Sequence, residues 1–383
     1  EFYSAVMREI LANPEAYGRS EYGRDEKVMV EFVSANPTGP MHMGNARGGA
    51  LGDCLAAVLD KAGYNAWREF YVNDAGNQIE KFGCSLEARY LQIFKGDEIE
   101  FPEDGYQGED IKDLAKEYAD LNGDSLVNVS AEERKKALVD YALPKNIKKM
   151  QADMEKYKIF YDKWFFESEL HKSGAVKAVV DLLTKKGLTY EKDGAVWYKN
   201  KEVLTQKLLK EGKSQKYIDN LELKDDVLIR QNGNPTYFTA DIAYHKNKFD
   251  RGFTTLIDVW GADHHGHVMR MKGAMDAIGY DGDKLNVVLM QLVKLVKDGE
   301  LVKMSKRTGK AIQLGDLLDE VPVDSARFLF NTKEANTQMD FDLDLAVSQD
   351  NQNPVYYVQY AHARICSIFK SLAKEGISPR ECT

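Results

Sequence analysis

The sequence predicts an α/β protein with a doubly wound parallel sheet, and three observations support this fold class. Two stretches, near residues 28–72 and 254–290, each have the pattern of a strand, a helix and a second strand. A polar stretch rich in lysine and glutamate separates them, over residues 91–223. Two strands joined through a helix lie parallel in one sheet, so the pattern predicts a sheet split by an insertion.

The first strand–helix–strand unit begins at residues 28–33, VMVEFV, an apolar run of the length and branching typical of a buried parallel strand. Apolar side chains then recur on one face of a predicted helix over residues 43–62, and Gly63 is placed to end it. A second strand is predicted over residues 66–72. Together these elements form a βαβ unit with a glycine-containing turn.

The second unit repeats this arrangement much later in the chain. It has a predicted strand over residues 254–260, a helix over residues 268–278 that ends at Gly279, and a strand over residues 286–290. Because the two units are far apart in sequence, the stretch between them is expected to be inserted into a single Rossmann-type sheet.

A β-hairpin is predicted over residues 293–302, because Asp298 and Gly299 lie between short apolar runs and suit a type I′ turn. This hairpin would present residues 303–310 as a loop. Beyond Gln352 the pattern becomes helical, which predicts the start of an all-α domain after the sheet.

Composition and charge narrow the class of protein. The 383 residues exceed what one hydrophobic core usually serves, so two or three domains are expected. The 52 basic and 61 acidic residues give a net charge of −9, which argues against a generic polyanion binder but is compatible with RNA on a local basic face. There is no apolar run of about 18 residues and no leader pattern, so no membrane association and a cytoplasmic location are expected.

The first motif that suggests chemistry is Pro40-Met-His42-Met-Gly44-Asn45, where the first predicted strand passes into the first helix. The amides and the dipole of a helix N-terminus favour an anion, and glycine lets a nucleotide approach the backbone closely. His42 is suited to donate a hydrogen bond to phosphate oxygens. The alternative is an ordinary helix start with an incidental histidine, which so short a motif leaves open.

The second motif is the basic segment Lys303-Met-Ser305-Lys306-Arg307, in the loop after the predicted hairpin. When a carboxylate attacks the α-phosphate of ATP, negative charge grows on the phosphoryl oxygens and on the departing pyrophosphate. Preorganised lysines stabilise that negative charge, and Mg²⁺ would stabilise part of it. The alternative is a solvated basic loop, and the presence of the first motif on the same predicted sheet argues against it.

These two motifs resemble the signatures of a known enzyme family. Residues 42–45 resemble the HIGH signature, and residues 303–307 resemble the KMSKS signature, of class I aminoacyl-tRNA synthetases. Longer stretches at residues 31–53, 71–78 and 237–244 resemble the arginyl-tRNA synthetases in particular and are far more specific. The resemblance covers nearly the whole chain. It departs at Asn45, which replaces the second histidine of HIGH, and at Arg307, which replaces a serine.

The resemblance implies a set of site residues. The predicted catalytic residues are His42, Lys303 and Lys306. The residues predicted to bind ATP are Gly44, Asn45, Gly261, Asp263, His267 and Ser305. Because Asn45 keeps a hydrogen-bond donor but lacks an imidazolium charge, a catalytic role at that position is in doubt.

A cluster of histidines at residues 261–267 also suggests a metal site, because Asp263, His264, His265 and His267 lie close in sequence. The cluster follows a predicted strand at the sheet edge where open α/β folds bind ligands, which favours ATP contacts or structural histidines over zinc. The four cysteines are far apart and form no C-x-x-C pair, so no disulfide framework or zinc knuckle is predicted.

Arginine recognition requires carboxylates and planar acceptors, since the guanidinium carries five donors and keeps its charge. Tyr237 and Asp241 match family positions that hold the arginine side chain, and Asn36 matches a position near the amino group of the substrate. Glu69 is an additional candidate carboxylate, for which a structural role is an equal alternative.

The resemblance implies that the carboxylate of arginine attacks ATP, with Mg²⁺, to form arginyl-adenylate. A terminal ribose hydroxyl of tRNA(Arg) then accepts the arginyl group, and the enzyme is expected to act as a monomer. It also implies that activation depends on bound tRNA. The alternatives are another class I enzyme, such as that for cysteine or glutamine, and a non-catalytic tRNA-binding relative. The separation of Cys54 from Cys84 provides no thiol cluster for a cysteine enzyme.

The same resemblance divides the chain into five predicted parts. They are the tail of an N-terminal RNA-binding domain at 1–27, the first half of the catalytic domain at 28–90, the connective insertion at 91–223, the second half of the catalytic domain at 224–350, and the start of a helical anticodon-binding domain at 351–383.

Overall fold

The computed structural model describes residues 2–302 and 312–377. Its strands, in chain order, are β1 Lys27–Glu31, β2 Asn65–Val72, β3 Lys163–Phe166, β4 Thr189–Lys192, β5 Ala195–Tyr198, β6 Asp226–Ile229, β7 Thr255–Gly261, β8 Leu285–Met290, β9 Val293–Lys297, β10 Glu300–Val302 and β11 Met339–Asp342. Its helices are α1 Phe2–Ala12, α2 Gly44–Lys61, α3 Asn77–Lys95, α4 Glu109–Asn122, α5 Ala131–Lys156, α6 Glu167–Lys172, α7 Ala175–Lys185, α8 Asn200–Lys210, α9 Gln215–Asp219, α10 Tyr237–Asp250, α11 His265–Ile278, α12 Leu314–Glu320, α13 Val323–Phe330, α14 Leu343–Val347 and α15 Pro354–Lys374.

The centre of the fold is a five-stranded sheet in the order β3-β2-β1-β7-β8. Every neighbouring pair in it is parallel. The chain proceeds outward from β1 to β2 on one side and places β7 on the other side, so the strand order reverses between β1 and β7. In an open α/β sheet, ligands bind outside the carboxyl ends of the strands at this reversal point. The predicted doubly wound, Rossmann-like sheet is confirmed.

Both predicted βαβ units are present in this sheet. The helix of the first unit ends before Gly63, and the helix of the second ends before Gly279, where φ is 87° and 105° respectively. Such left-handed conformations favour glycine, which is why the sequence marks both helix ends. One strand of the sheet, β3, comes from inside the segment 91–223 that was expected to be inserted. The domain boundaries themselves stay a prediction.

Alternate residues of β1 pack into cores on opposite faces of the sheet. Val28 and Val30 belong to the core that includes α2, whereas Met29 belongs to the core on the other face. This alternation buries both faces, as a parallel sheet covered by helices requires. Gly52 allows α2 to lie close to β1, because a Cβ at that position would be 2.1 Å from Cγ of Phe32.

Three smaller units surround the central sheet. Helices α3, α4 and α5 pack together around a separate apolar core. Strands β4, β5 and β6 form an antiparallel sheet, and β9 pairs with β10 and β11. The β9–β10 hairpin turns at Asp298 and Gly299, where both φ values are positive, as the predicted type I′ turn requires. Within the described ranges, none of the helices is long and apolar enough to cross a membrane.

Candidate active site

The loop that joins β1 to α2 is held by hydrogen bonds around His42. The Oδ1 of Asn45 accepts from the backbone amide of His42 at 3.0 Å, and the amide of Asn45 donates to the carbonyl of His42 at the same distance. His42 also forms a backbone bridge with Gln313, just before α12. The loop is therefore fixed against the N-terminus of α2, while the side chain of His42 stays exposed. In this arrangement Asn45 orients the loop through its side-chain oxygen.

The N-terminus of α2, where the sequence predicts a phosphate site, has space beside Gly44 and is anchored to the rest of the fold through Arg47. Among the described residues, apart from the chain neighbours of Gly44 and the backbone of α2 itself, no atom lies within 4 Å of the position that a Cβ on Gly44 would take. Behind it, the guanidinium of Arg47 is buried and donates to the carbonyls of Gln291 at 3.0 Å, Thr337 at 2.9 Å and Glu334 at 2.8 Å. These bonds tie α2 to the segments that precede β9 and β11, and burial lowers the pKa of Arg47.

Three adjoining cavities surround the loop between β1 and α2. The largest, of about 760 Å³, lies between this loop and the start of α4 and is lined by Asn36 and His42. The second, of about 420 Å³, lies between residues 42–44 and the β9–β10 hairpin. The third, of about 240 Å³, lies beside the carboxyl ends of β1 and β7. Ser34 borders the first and third cavities, and His42 borders the first and second.

The third cavity is bordered by two carboxylates, and we call it the acidic cavity. Glu31, the last residue of β1, and Asp241, in α10, both border it. The Nε2 of His267 lies 3.1 Å from Oδ2 of Asp241. Glu31 is absent from the residues predicted above, although a carboxylate inside the apolar run VMVEFV is a signal for it. The other residues that line the cavity are Val33, Ser34, Tyr71, Tyr244, His245, Val259, Trp260, Gly261 and His264.

Tyr237 and Asp241 are predicted together as arginine contacts, and both lie in α10, one helical turn apart. They border different cavities. Tyr237 is 41% exposed and lines a further cavity of about 460 Å³, together with Glu167 and His171. The structure therefore places the two predicted arginine contacts at two cavities, Asp241 at the acidic cavity and Tyr237 at the further one.

The structure separates the three residues predicted to contact ATP near the carboxyl end of β7, namely Gly261, Asp263 and His267. Gly261 and His267 border the acidic cavity, so they lie with Asp241, which is predicted to bind arginine. The side chain of Asp263 is 83% exposed and borders none of the four cavities described above. Across residues 2–302 and 312–377, no three His, Cys, Asp or Glu side chains lie close enough together to hold a metal ion.

Glu69 lies in β2, and its side chain has no exposed surface. Its carboxylate accepts from both terminal nitrogens of Arg251, at 2.6 and 2.7 Å, and from the hydroxyl of Tyr244 at 2.8 Å. A bound amino acid cannot reach this carboxylate without displacing Arg251. The placement therefore does not fit the predicted direct contact with arginine and instead supports the structural alternative.

A buried ionic cluster of Glu31, His245, Lys248 and Asp258 adjoins the acidic cavity, which Glu31 and His245 border. The Nζ of Lys248 is 2.5 Å from Oε2 of Glu31 and 2.8 Å from Oδ1 of Asp258. The Nε2 of His245 is 2.7 Å from the other oxygen of Asp258. Burial alone would raise the pKa of Asp258, but the positive charges of Lys248 and His245 more than offset this and hold it at about 2.

The remaining predicted residues, Lys303, Ser305 and Lys306, lie outside the described residues. The β9–β10 hairpin immediately before them is described, and it forms one wall of the second cavity. The opposite wall of that cavity includes His42 and Gly44. The described hairpin that precedes residues 303–307 therefore lies on the same side of the fold as His42 and Gly44.

Comparison with known proteins gives consistent results. Residues 6–366 match the family model described as tRNA synthetases class I (R), catalytic domain. A protein of Ruminiclostridium cellulolyticum named arginine–tRNA ligase is 60% identical over 370 residues, which is 96% of this chain and 63% of that protein. A protein of the same name from Caldanaerobacter subterraneus is 59% identical, over 98% of this chain and 64% of its own length.

Solved structures extend the comparison to the fold. A Campylobacter jejuni structure described as a candidate arginyl-tRNA synthetase has 37% identity and a TM-score of 0.84, over 98% of this chain and 78% of that one. The arginyl-tRNA synthetase of Thermus thermophilus, at 20% identity and a TM-score of 0.67, shares the fold. The chain spans about 63% of the length of the curated relatives. Because the family model spans nearly the whole chain and these relatives share more than half of its residues, the chain belongs to the class I arginyl-tRNA synthetase family, in the part that forms the catalytic domain.

Proposed function

We propose that this chain carries the active site of an arginine–tRNA ligase. The observation that carries the proposal is the acidic cavity, where Glu31 and Asp241 border one small space between aromatic side chains at the reversal point of the sheet. A guanidinium keeps its positive charge and offers five donors in a planar fork, so it is best satisfied by carboxylates. The relatives named arginine–tRNA ligase support the same substrate.

The adjoining cavities suggest how the two small substrates lie. With the guanidinium in the acidic cavity, the carboxylate of arginine extends past Ser34, which borders the next cavity, toward His42. The phosphates of ATP bind at the open N-terminus of α2, where amides and the helix dipole favour anions. The cavity beside Met43, Leu295 and Leu301 provides apolar surface for the adenine base.

The proposed reaction has two steps. A carboxylate oxygen of arginine forms a bond to the α-phosphorus of ATP, the bond to the β-phosphate oxygen breaks, and pyrophosphate leaves. The terminal ribose hydroxyl of tRNA(Arg) then attacks the arginyl carbonyl, and AMP leaves. His42 donates to the phosphoryl oxygens as charge builds on them, and Lys303 and Lys306 stabilise the pyrophosphate. Gly44, Asn45 and Ser305 remain proposed ATP contacts.

Mg²⁺ enters this proposal only as part of the ATP complex. It usually binds to substrate phosphates with one or two protein carboxylates and keeps several water ligands. In the part of the chain that the structure describes, no group of three ligating side chains offers a resident metal site. We therefore assign no residue to it. When bound with ATP it would neutralise charge on the phosphates.

The experiment that tests the function is ATP–pyrophosphate exchange, measured with arginine, glutamine and cysteine in turn, each with and without a tRNA(Arg) transcript. Exchange with arginine that requires or is stimulated by tRNA is the expected result. Exchange with glutamine or cysteine but not with arginine would overturn the choice of substrate. Tight tRNA binding without exchange for any amino acid would instead indicate a non-catalytic tRNA-binding protein.

A further inference from the structure

Lys248 is a lysine in α10 whose side chain has no exposed surface. Its ammonium lies between Glu31 and Asp258, at 2.5 and 2.8 Å, and 4.4 Å from the centre of the Tyr244 ring. Removing an ammonium from water costs several kcal/mol unless partners replace the lost hydration. Lys248 borders none of the cavities around the active site. The chain therefore keeps a costly buried charge next to the acidic cavity without exposing it to a ligand.

Lys248 contacts Glu31, which is the carboxylate of this cluster that borders the acidic cavity. Glu31 uses one oxygen to accept from the hydroxyl of Ser34, at 2.7 Å, and the other to accept from Lys248. These bonds fix the plane of the carboxylate. A carboxylate offers about four lone-pair sites, so two bonds leave acceptor capacity for a further donor in the cavity.

The ionisation of Glu31 depends on the same contact. Burial raises the pKa of Glu31, attraction to Lys248 lowers it, and repulsion by Asp258 raises it again, with a net increase. Glu31 is also faced by groups on the other packed elements. These are His245 and Tyr244 from α10, Tyr71 from β2, Tyr161 before β3, and Asp241 across the cavity.

We infer that Lys248 is a positioning residue for arginine recognition: it does not touch the bound amino acid, but it holds Glu31 charged and in one orientation for the guanidinium. The inference deepens the proposed function and rests on it, because it takes arginine as the occupant of the acidic cavity. Without Lys248, the carboxylates of Glu31 and Asp258 would share a buried space in which, among the described residues, the ring of His245 beside Asp258 is the remaining basic group of the cluster. Glu31 would then take up a proton at higher pH and lose its attraction for a guanidinium.

The test is the dissociation constant of arginine, measured by calorimetry from pH 6 to pH 9 for the parent chain and for Lys248→Met. The loss of one charge-assisted contact predicts roughly tenfold to hundredfold weaker binding at pH 7 in the variant. Because Glu31 must be ionised to bind, the affinity of the variant should keep rising with pH where that of the parent changes little. Comparison with the parent at each pH removes the titration of arginine itself.

Two further variants separate electrostatics from packing. Lys246→Met removes the same charge from the same helix, but its partner is the exposed Asp250, and arginine affinity should not change. The double variant Lys248→Met with Asp258→Asn removes the carboxylate that repels Glu31, so it should bind arginine more tightly than Lys248→Met alone. If Lys248→Met does not fold, Lys248→Gln takes its place with the same expectations.

The outcomes distinguish this inference from the proposed function. A parent chain that binds no arginine overturns the proposed function, and the inference with it. A parent that binds arginine, together with a Lys248 variant of equal affinity across the pH range, overturns only the role of Lys248. Weaker binding without a change in pH profile and without recovery in the double variant also overturns it, because a packing defect alone would produce that result.

Discussion

Replacing Asp241 by asparagine is the most direct test of the proposal that the acidic cavity binds the guanidinium of arginine. The substitution keeps the shape of the side chain and an oxygen that can accept from His267, which lies 3.1 Å from Oδ2. It removes the negative charge. A hydrogen bond to a charged group contributes about 1.5 to 3 kcal/mol. Because the side chain of Asp241 is 34% exposed, solvent screens the interaction, and we expect a loss near 1.5 kcal/mol, or roughly tenfold in the Kd for arginine.

The measurement is a pair of calorimetric titrations, with arginine and with ATP, accompanied by thermal unfolding of each variant. The Kd for ATP should hardly change, since Asp241 borders only the acidic cavity among the cavities described. Asp250→Asn is the matched control. It removes the same charge from the end of the same helix, where Asp250 pairs with Lys246 away from the cavity, and arginine binding should stay at the parent value.

One result would refute this reasoning. If Asp241→Asn unfolds at a lower temperature but binds arginine as tightly as the parent, Asp241 is a structural partner of His267 and not a ligand. The acidic cavity would then lose one of its two carboxylates as a recognition group. The choice of arginine over the other class I substrates would be weakened to the same extent.

Three further predictions concern catalysis and stability. His42→Ala should reduce the rate of arginyl-adenylate formation about a hundredfold or more, as measured in single-turnover assays. Near-normal turnover would instead indicate that His42 is an incidental residue at an ordinary helix start. Lys306→Ala, which lies outside the described residues, should lower the adenylation rate more than the affinity for arginine; an unchanged turnover number with a raised Michaelis constant would contradict that. Arg47→Met leaves three backbone carbonyls without their donor, so unfolding in urea should show a loss of about 3 kcal/mol or more. Arg19→Met, at an exposed ion pair, should cost no more than about 1 kcal/mol, and equal effects would refute the anchoring role.

Local patterns in the sequence were sufficient to predict those secondary-structure elements that depend on neighbouring residues. Apolar periodicity predicts α2, and glycine at a left-handed position predicts where α2 and α11 end. The dipeptide Asp298-Gly299 predicts the β9–β10 turn for the same reason. Strand β3 was hidden in the predicted insertion, because four residues carry little periodic signal and their strand state depends on pairing with β2.

The sequence by itself predicted the chemistry of the site: a phosphate-binding helix start, a basic signature and carboxylates suited to a guanidinium. Only the tertiary structure decided which of these carboxylates are available to bind a guanidinium. The carboxylate of Glu69 accepts hydrogen bonds from Arg251, 182 positions later in the chain. The carboxylate of Glu31 is oriented by Lys248, 217 positions later. Neither pairing leaves a local pattern, since ion pairs form between residues that the sheet and α10 bring together. The availability of a buried charge is therefore a property of the fold.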